Sequence, residues 1–140
     1  MNPVGRIQRH LEEARIVSLL SDFERVHVGC VITYCDKVIA SGYNNTKTDP
    51  IQERYNRYRD MVGNKVIHMR HAEIMALKKI VHLGLDMKRV VVYNWREYKD
   101  GTPALSRPCS ACMNFMKDLG ITKVVYSTDN ANGFCIERVQ

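Results

Sequence analysis

The chain has 140 residues, of which 45% are hydrophobic and 26% charged, a composition that suits one globular domain spanning residues 1–140 and excludes disordered or collagen-like chains. Lys and Arg number 21 against 15 Asp and Glu, a net charge of +6, which favours an anionic partner or else marks a solvated basic surface. No apolar run approaches the roughly 20 residues that cross a bilayer, and Arg9, Glu12, Glu13 and Arg15 break the segment where a secretion signal would need an apolar core.

Apolar residues at Ile7, Leu11, Ala14, Val17 and Leu20 recur at helical spacing and predict an amphipathic helix over residues 5–21. Residues 26–34 are rich in β-branched side chains and predict a strand. Cys35-Asp36-Lys37 is read as a tight turn, with 38–41 as the second strand of a hairpin. Residues 42–65 are polar and punctuated by Asn, Pro and Gly, which predicts a long loop with a short helix near 51–60. Loops of that length in small domains are usually functional or disordered. Ile74, Leu77, Ile80 and Val81 predict a helix over 71–83, stopped at Gly84. Residues 89–95 read as a buried strand. A polar connection follows, and Pro108 is placed in the first turn of a helix running to Leu119, ended by Gly120. Residues 122–127 are the next strand, and residues 134–139 are either a last strand or a helical turn. This order predicts an α/β fold, a three-layer α/β/α sandwich with a mixed sheet.

The five cysteines are Cys30, Cys35, Cys109, Cys112 and Cys135. An odd number without a secretion signal argues for reduced thiols in a cytoplasmic protein rather than a disulfide framework. Cys30 sits in the apolar run 28–32 and reads as a small buried hydrophobe. Cys109 and Cys112 are different, because they open the predicted third helix as Pro108-Cys109-Ser110-Ala111-Cys112. His71-Ala72-Glu73 opens the second. One imidazole and two thiolates make three donors for Zn2+, one short of a closed tetrahedral site, and the open position is what separates catalytic from structural zinc. Helix N-termini favour thiolate over thiol. A water in the fourth position would be acidified by the metal, and Glu73, two residues from a ligand, is placed to accept its proton. Each piece alone has an ordinary reading: a redox pair or half a structural zinc site for the thiols, a helix cap for His71, a solvated helix residue for Glu73. In this order and on these elements they form the H-x-E with P-C-x-x-C signature of zinc deaminases.

From Val26 to about Thr128 the chain resembles the cytidine and deoxycytidylate deaminase superfamily. Val28-Gly29-Cys30-Val31-Ile32 resembles the first strand of those enzymes, and Ser41-Gly42-Tyr43-Asn44 the end of the second. The resemblance implies that Glu73 is the catalytic acid and base, that Asn44 contacts the sugar, and that the Ala72 backbone N–H binds the base carbonyl. It also implies that the Arg107 backbone carbonyl accepts from the leaving amino group. Tyr126 matches a position that often faces the base; packing on the core is its equal alternative. Residues 108–112 with 119–126 resemble deoxycytidylate deaminases, whereas 71–77 resemble tRNA adenosine deaminases. Lys47-Thr48-Asp49-Pro50 and Tyr55-Asn56-Arg57-Tyr58-Arg59 resemble deaminase-like proteins of phages and prophages. Met75 departs from the Asn common in deoxycytidylate deaminases, and Arg107 from the Glu usual in the tRNA enzymes.

Arg54, Arg57, Arg59, Lys65 and Arg70 alternate with Tyr55 and Tyr58 in the loop. They suit a clamp on a 5′-phosphate, a track for single-stranded nucleic acid with stacking tyrosines, or a plain charged surface. The other histidines, His10, His27, His68 and His82, have no ligand spacing. The leading expectation is hydrolysis of a free pyrimidine nucleotide, dCMP to dUMP and ammonia. The alternatives are a deaminase acting on tRNA adenosine or single-stranded DNA cytosine, and a catalytically silent zinc-stabilised binding module. The resemblance implies a homo-oligomer.

Overall fold

The computed structural model describes residues 2–59 and 70–140. Helix α1 (Pro3–Ser18) is started by Asn2, whose side chain accepts from the Gly5 backbone N–H, with Pro3 at the first helical position. Strands β1 (Val26–Tyr34) and β2 (Lys37–Tyr43) form an antiparallel hairpin. Its loop is two residues, Cys35 and Asp36, both with positive φ (51° and 71°), the left-handed conformation whose twist matches paired strands. The turn is tied to α1 through His10, whose ring nitrogens lie 2.6 Å from Glu13 and 2.9 Å from Asp36.

Helix α2 (Pro50–Tyr55) is capped by Asp49 and runs into a single 3-10 turn over Asn56–Tyr58. The short helix expected near 51–60 is thus present. Helix α3 (Ala72–Lys78) is shorter than the expected 71–83. Beyond Lys78 the apolar spacing continues, but Lys79, Ile80 and Leu83 donate to carbonyls three residues back, so the chain tightens into turns before Gly84. Strands β3 (Val90–Tyr98) and β4 (Pro103–Ala104) follow. Helix α4 (Ser110–Leu119) begins two residues after Pro108, which therefore lies outside the helix rather than in its first turn. The cause is Cys109: it takes the extended N-cap conformation (φ −68°, ψ 169°) that turns its thiol toward His71. Gly120, at φ 91°, ends α4 in the left-handed conformation. Strands β5 (Lys123–Ser127) and β6 (Phe134–Arg138) complete the sheet, so the tail resolves as a strand.

The sheet order is β2-β1-β3-β5-β6, with β4 paired to β3. Only β3 and β5 run parallel, as the intervening α4 crossover requires; the other pairings are antiparallel. Helix α1 covers one face through Ile7, Leu11 and Ala14 against Val31, Tyr93 and Val125. Helices α3 and α4 cover the other through Ile74, Leu77, Phe115 and Met116 against Ile32, Val92 and Val124. This is the three-layer mixed-sheet sandwich expected from the sequence. Two glycines set how closely the layers meet. A Cβ on Gly29 would fall 1.9 Å from the Ala14 carbonyl oxygen, and one on Gly42 would fall 2.5 Å from that of Ala72. The hairpin glycines thus let α1 and the start of α3 press onto the sheet, which fixes where His71 begins its helix.

Candidate active site and metal centre

His71 and Cys109 hold the same local position in different helices. Each is an N-cap in extended conformation, and neither uses its side chain to cap the backbone. The two side chains turn toward each other instead, and Cys112, one turn into α4 and fully buried, joins them. All three donor atoms lie within 4.8 Å of one another. His71 Nδ1 is 3.5 Å from Cys109 Sγ and 3.4 Å from Cys112 Sγ. A tetrahedral zinc with Zn–N near 2.0–2.1 Å and Zn–S near 2.3 Å would have an N···S edge of about 3.5 Å. The donor set and its spacing therefore fit zinc, with three protein ligands and one open position.

The electrostatics of the trio fit as well. Cys109 is held down to about 3, first by the hydrogen bond from Cys112 and, against the opposing effect of burial, by His71. Cys112 is pushed well up by that same bond and by its burial. A bound metal ion would displace protons from these donors. Burial acts to lower His71, but its bond to Cys109 and the charges of Glu73 and Cys109 outweigh that, and the net direction is up. The His71 backbone N–H donates to Gln52 Oε1 at 3.0 Å, and Gln52 Nε2 donates in turn to Asn56 Oδ1 at 2.7 Å. Helix α2 is locked onto α4 by Tyr55, whose hydroxyl donates to Asp118 at 2.6 Å. This buried support for His71 carried no sequence signal beyond polar residues in a short helix.

Glu73 is 4% exposed, in the first turn of α3. Burial pushes its carboxyl above the ordinary carboxylate value, while His71 and hydrogen bonds from its own N–H and the Asn94 amide oppose the rise. Glu73, His71 and Cys109 open onto a cleft of about 350 Å³, within the size range of small-molecule sites. Ala72, at the start of α3, is fully buried and lines the same cleft.

The remaining sequence-derived candidates divide. Asn44 lines the cleft, with its side-chain amide bonded to β1: Oδ1 accepts from Val28 N–H at 2.9 Å and Nδ2 donates to the Val26 carbonyl at 3.1 Å. Arg107 lines it too, while its guanidinium is paired bidentately with Glu137 at 2.8 and 2.9 Å. Tyr126 is 7% exposed, sits in the core cluster and is not part of the cleft wall. Its hydroxyl donates to Glu137 at 2.9 Å, because β6 places that carboxylate beside it; this is the packing alternative. Of the basic loop, Arg59 and Arg70 reach the cleft. Arg54 and Arg57 do not line it, and Lys65 and His68 lie outside the described residues. Arg70 is placed by backbone bonds with Asn45 and Lys47 and by Asp49, which is also paired with Lys78 at 2.8 Å.

Sequence reasoning missed the opposite wall. Asn94 and Arg96 on β3 line the cleft, as does Ser106. Ser106 Oγ donates to the Asn94 carbonyl at 2.9 Å, Ser127 N–H donates to Ser106 Oγ at 2.8 Å, and Ser127 Oγ accepts from Arg96 N–H at 3.1 Å. This buried web fixes the segment that leads into Cys109. The alternation of β3 puts Asn94 and Arg96 on one face two residues apart, and that was the only signal available.

The profile of the cytidine and deoxycytidylate deaminase zinc-binding region matches residues 5–128. The chain belongs to that family. It is accordingly a zinc-dependent enzyme of the class that cleaves carbon–nitrogen bonds by hydrolysis. Among solved structures, the dCMP deaminase of cyanophage S-TIM5 superposes with a TM-score of 0.62 at 20% identity, covering 94% of this chain and 89% of that one. A cytidine deaminase from Burkholderia pseudomallei gives a TM-score of 0.61 at 16% identity, covering 99% and 94%. Comparison with curated proteins gives no match. At these identities the neighbours establish the fold. No helix among the described residues is long and apolar enough to cross a membrane.

Proposed function

We propose that this deaminase acts on a free pyrimidine nucleotide, converting dCMP to dUMP and ammonia. The observation that carries the reading is one cleft onto which His71 and Cys109 of the metal trio open together with Glu73 and a set of arginines. The Nε atoms of Arg70 and Arg96 are buried and have no hydrogen-bond partner among the described residues. A phosphate would satisfy them, since guanidinium groups match phosphate oxygens. The cyanophage enzyme, which has been crystallised with dCMP and dUMP, supports the same substrate.

Zinc held by His71, Cys109 and Cys112 would supply a Lewis acid able to make water nucleophilic near neutral pH. Glu73 takes a proton from the attacking water and delivers it to ring N3. The water oxygen adds at C4; Glu73 then takes the second proton from that oxygen and hands it to the amine, so the C4–N bond breaks, ammonia leaves and the C4 carbonyl forms. A buried carboxyl raised above its usual value suits such two-way transfer. The Ala72 N–H holds the base carbonyl and the Arg107 carbonyl receives the amino group. Asn44 has one N–H and one lone pair remaining for the sugar. An oligomeric assembly belongs to the same proposal, and Ile16, Leu19 and Leu20, each more than half exposed at the end of α1, offer apolar surface for it.

One observation favours action on a polymer instead: Arg57 lies over the exposed Tyr58 ring at 4.8 Å, a platform on which a base could stack. Turnover of zinc-loaded protein on dCMP, CMP, dCTP, deoxycytidine, single-stranded DNA and tRNA decides between the readings. Activity confined to a mononucleotide is the expected result. Activity on polymer alone, with a steep salt dependence, would overturn it.

A further inference from the structure

Asn94 is the least exposed polar residue lining the cleft. It is 1% exposed and sits on β3, the central strand. Its Nδ2 donates to the Ser106 carbonyl at 3.2 Å. That neighbour is an acceptor, so the NH2 end of the amide must face it. Flipping the amide would set Oδ1 against the Ser106 oxygen. The orientation cannot relax through Ser106 either, because its hydroxyl donates to the Asn94 carbonyl and accepts from the Ser127 backbone N–H. What remains is Oδ1: buried, in a residue that lines the cleft, and without a hydrogen-bond partner among the described residues. A buried acceptor left without a donor is costly, and the Ser106 and Ser127 hydroxyls beside it are both bonded.

We propose that Asn94 reads the exocyclic amino group of the substrate, its Oδ1 accepting an N–H from that group while Nδ2 stays on Ser106. The inference rests on the deaminase reading above and extends it to a residue outside the zinc trio and Glu73. Its consequence follows from the reaction itself. Before hydrolysis the ring carries an amino donor at C4; afterwards it carries a carbonyl acceptor. An acceptor held rigidly in the wall therefore attracts the substrate and repels the product. Asn94 separates amino-pyrimidine from oxo-pyrimidine in a way that a water-lined wall could not, because a water would turn to suit either group.

The test measures nucleotide binding in the zinc-loaded Glu73→Ala protein. This background removes turnover, and unlike Glu73→Gln it introduces no amide that could donate to Asn94. The probes are dCMP and dUMP, and the quantity read is the ratio of their dissociation constants. The background is expected to prefer dCMP. Adding Asn94→Leu removes the acceptor, and adding Asn94→Thr replaces it with a hydroxyl that can donate or accept on a residue well suited to a strand. Each is expected to lower the preference by about tenfold or more, chiefly by weakening dCMP, with zinc content unchanged. The threonine variant keeps the test decisive if the leucine variant does not fold. Equal weakening of both nucleotides, or an unchanged ratio, would overturn the role of Asn94 and leave the deaminase reading standing. Binding of neither nucleotide by the Glu73→Ala protein would overturn both.

Discussion

The two walls of the cleft are built on different principles. The wall made by β3, the 104–109 segment and the starts of α3 and α4 is short-levered. Its functional atoms sit on small or medium side chains, and the Asn94, Ser106 and Ser127 web ties them to the backbone. The wall contributed by Arg59 and Arg70 is long-levered. Arg70 depends on the ion pair with Asp49 at 3.6 Å and on backbone bonds to Asn45 and Lys47. Rigid short side chains suit chemistry, where small displacements are costly; long guanidiniums suit capture of a charged group. Arg96 on β3 departs from that pattern: on the proposed function the first wall carries the reaction, while Arg96 and Arg70, one guanidinium from each wall, hold the phosphate.

The largest expected effect comes from breaking the first wall at its metal. Cys112→Ser replaces a fully buried donor with a poor zinc ligand. Metal analysis is expected to find well below one zinc per chain, and turnover to fall by more than about 10³-fold. Full zinc occupancy and normal turnover would remove Cys112 from the site.

A smaller effect is expected where the walls share the phosphate. Arg96→Ala is expected to cost about 1.5–3 kcal/mol in kcat/KM for dCMP, or roughly 10- to 150-fold, as for one charge-assisted hydrogen bond. Deoxycytidine, which has no phosphate, should change little. Equal losses on nucleotide and nucleoside would mean that Arg96 shapes the wall and does not read phosphate.

What could be read from the sequence follows the same division. The zinc trio and Glu73 were legible because a metal demands particular donors at particular offsets, and the two motifs stand next to predicted helix starts. The sheet was legible from its β-branched runs, and Gly120 from the end of an amphipathic pattern. The reach of α3 was overestimated, since apolar spacing persists through a run of tight turns that bury the same face. Pro108 was placed one step too far into α4 because the thiol, not the proline, dictates where the helix starts. Asn94, Arg96 and Gln52 were invisible, because their places in the cleft wall and beneath His71 depend on which strands and helices become neighbours in space. Tyr126 could be narrowed only to two readings until β6 supplied Glu137 as its partner.

The smallest expected effect lies on the far face of the sheet and serves as the contrast to both walls. The Asp36 carboxyl is held below its usual value, first by its hydrogen bond to His10 and then by the charges of His10, Arg6 and Arg9. A depressed carboxyl contributes its stability in full above the ordinary carboxylate value and loses it as pH falls through the lowered one. Urea melts between about pH 5 and pH 3 should therefore show a shallower loss of stability for Asp36→Asn than for the parent protein, with no change in zinc content. Identical slopes would mean that the hairpin turn draws nothing from this network.

On the proposed function, Glu73 moves protons in a zinc site without holding the metal. Glu73→Gln separates the two roles, by metal content and dCMP turnover measured on the same preparation. About one zinc per chain is expected, with turnover reduced by roughly 10²–10⁴-fold. Undiminished turnover in a variant that retains its zinc would remove Glu73 from the proton path.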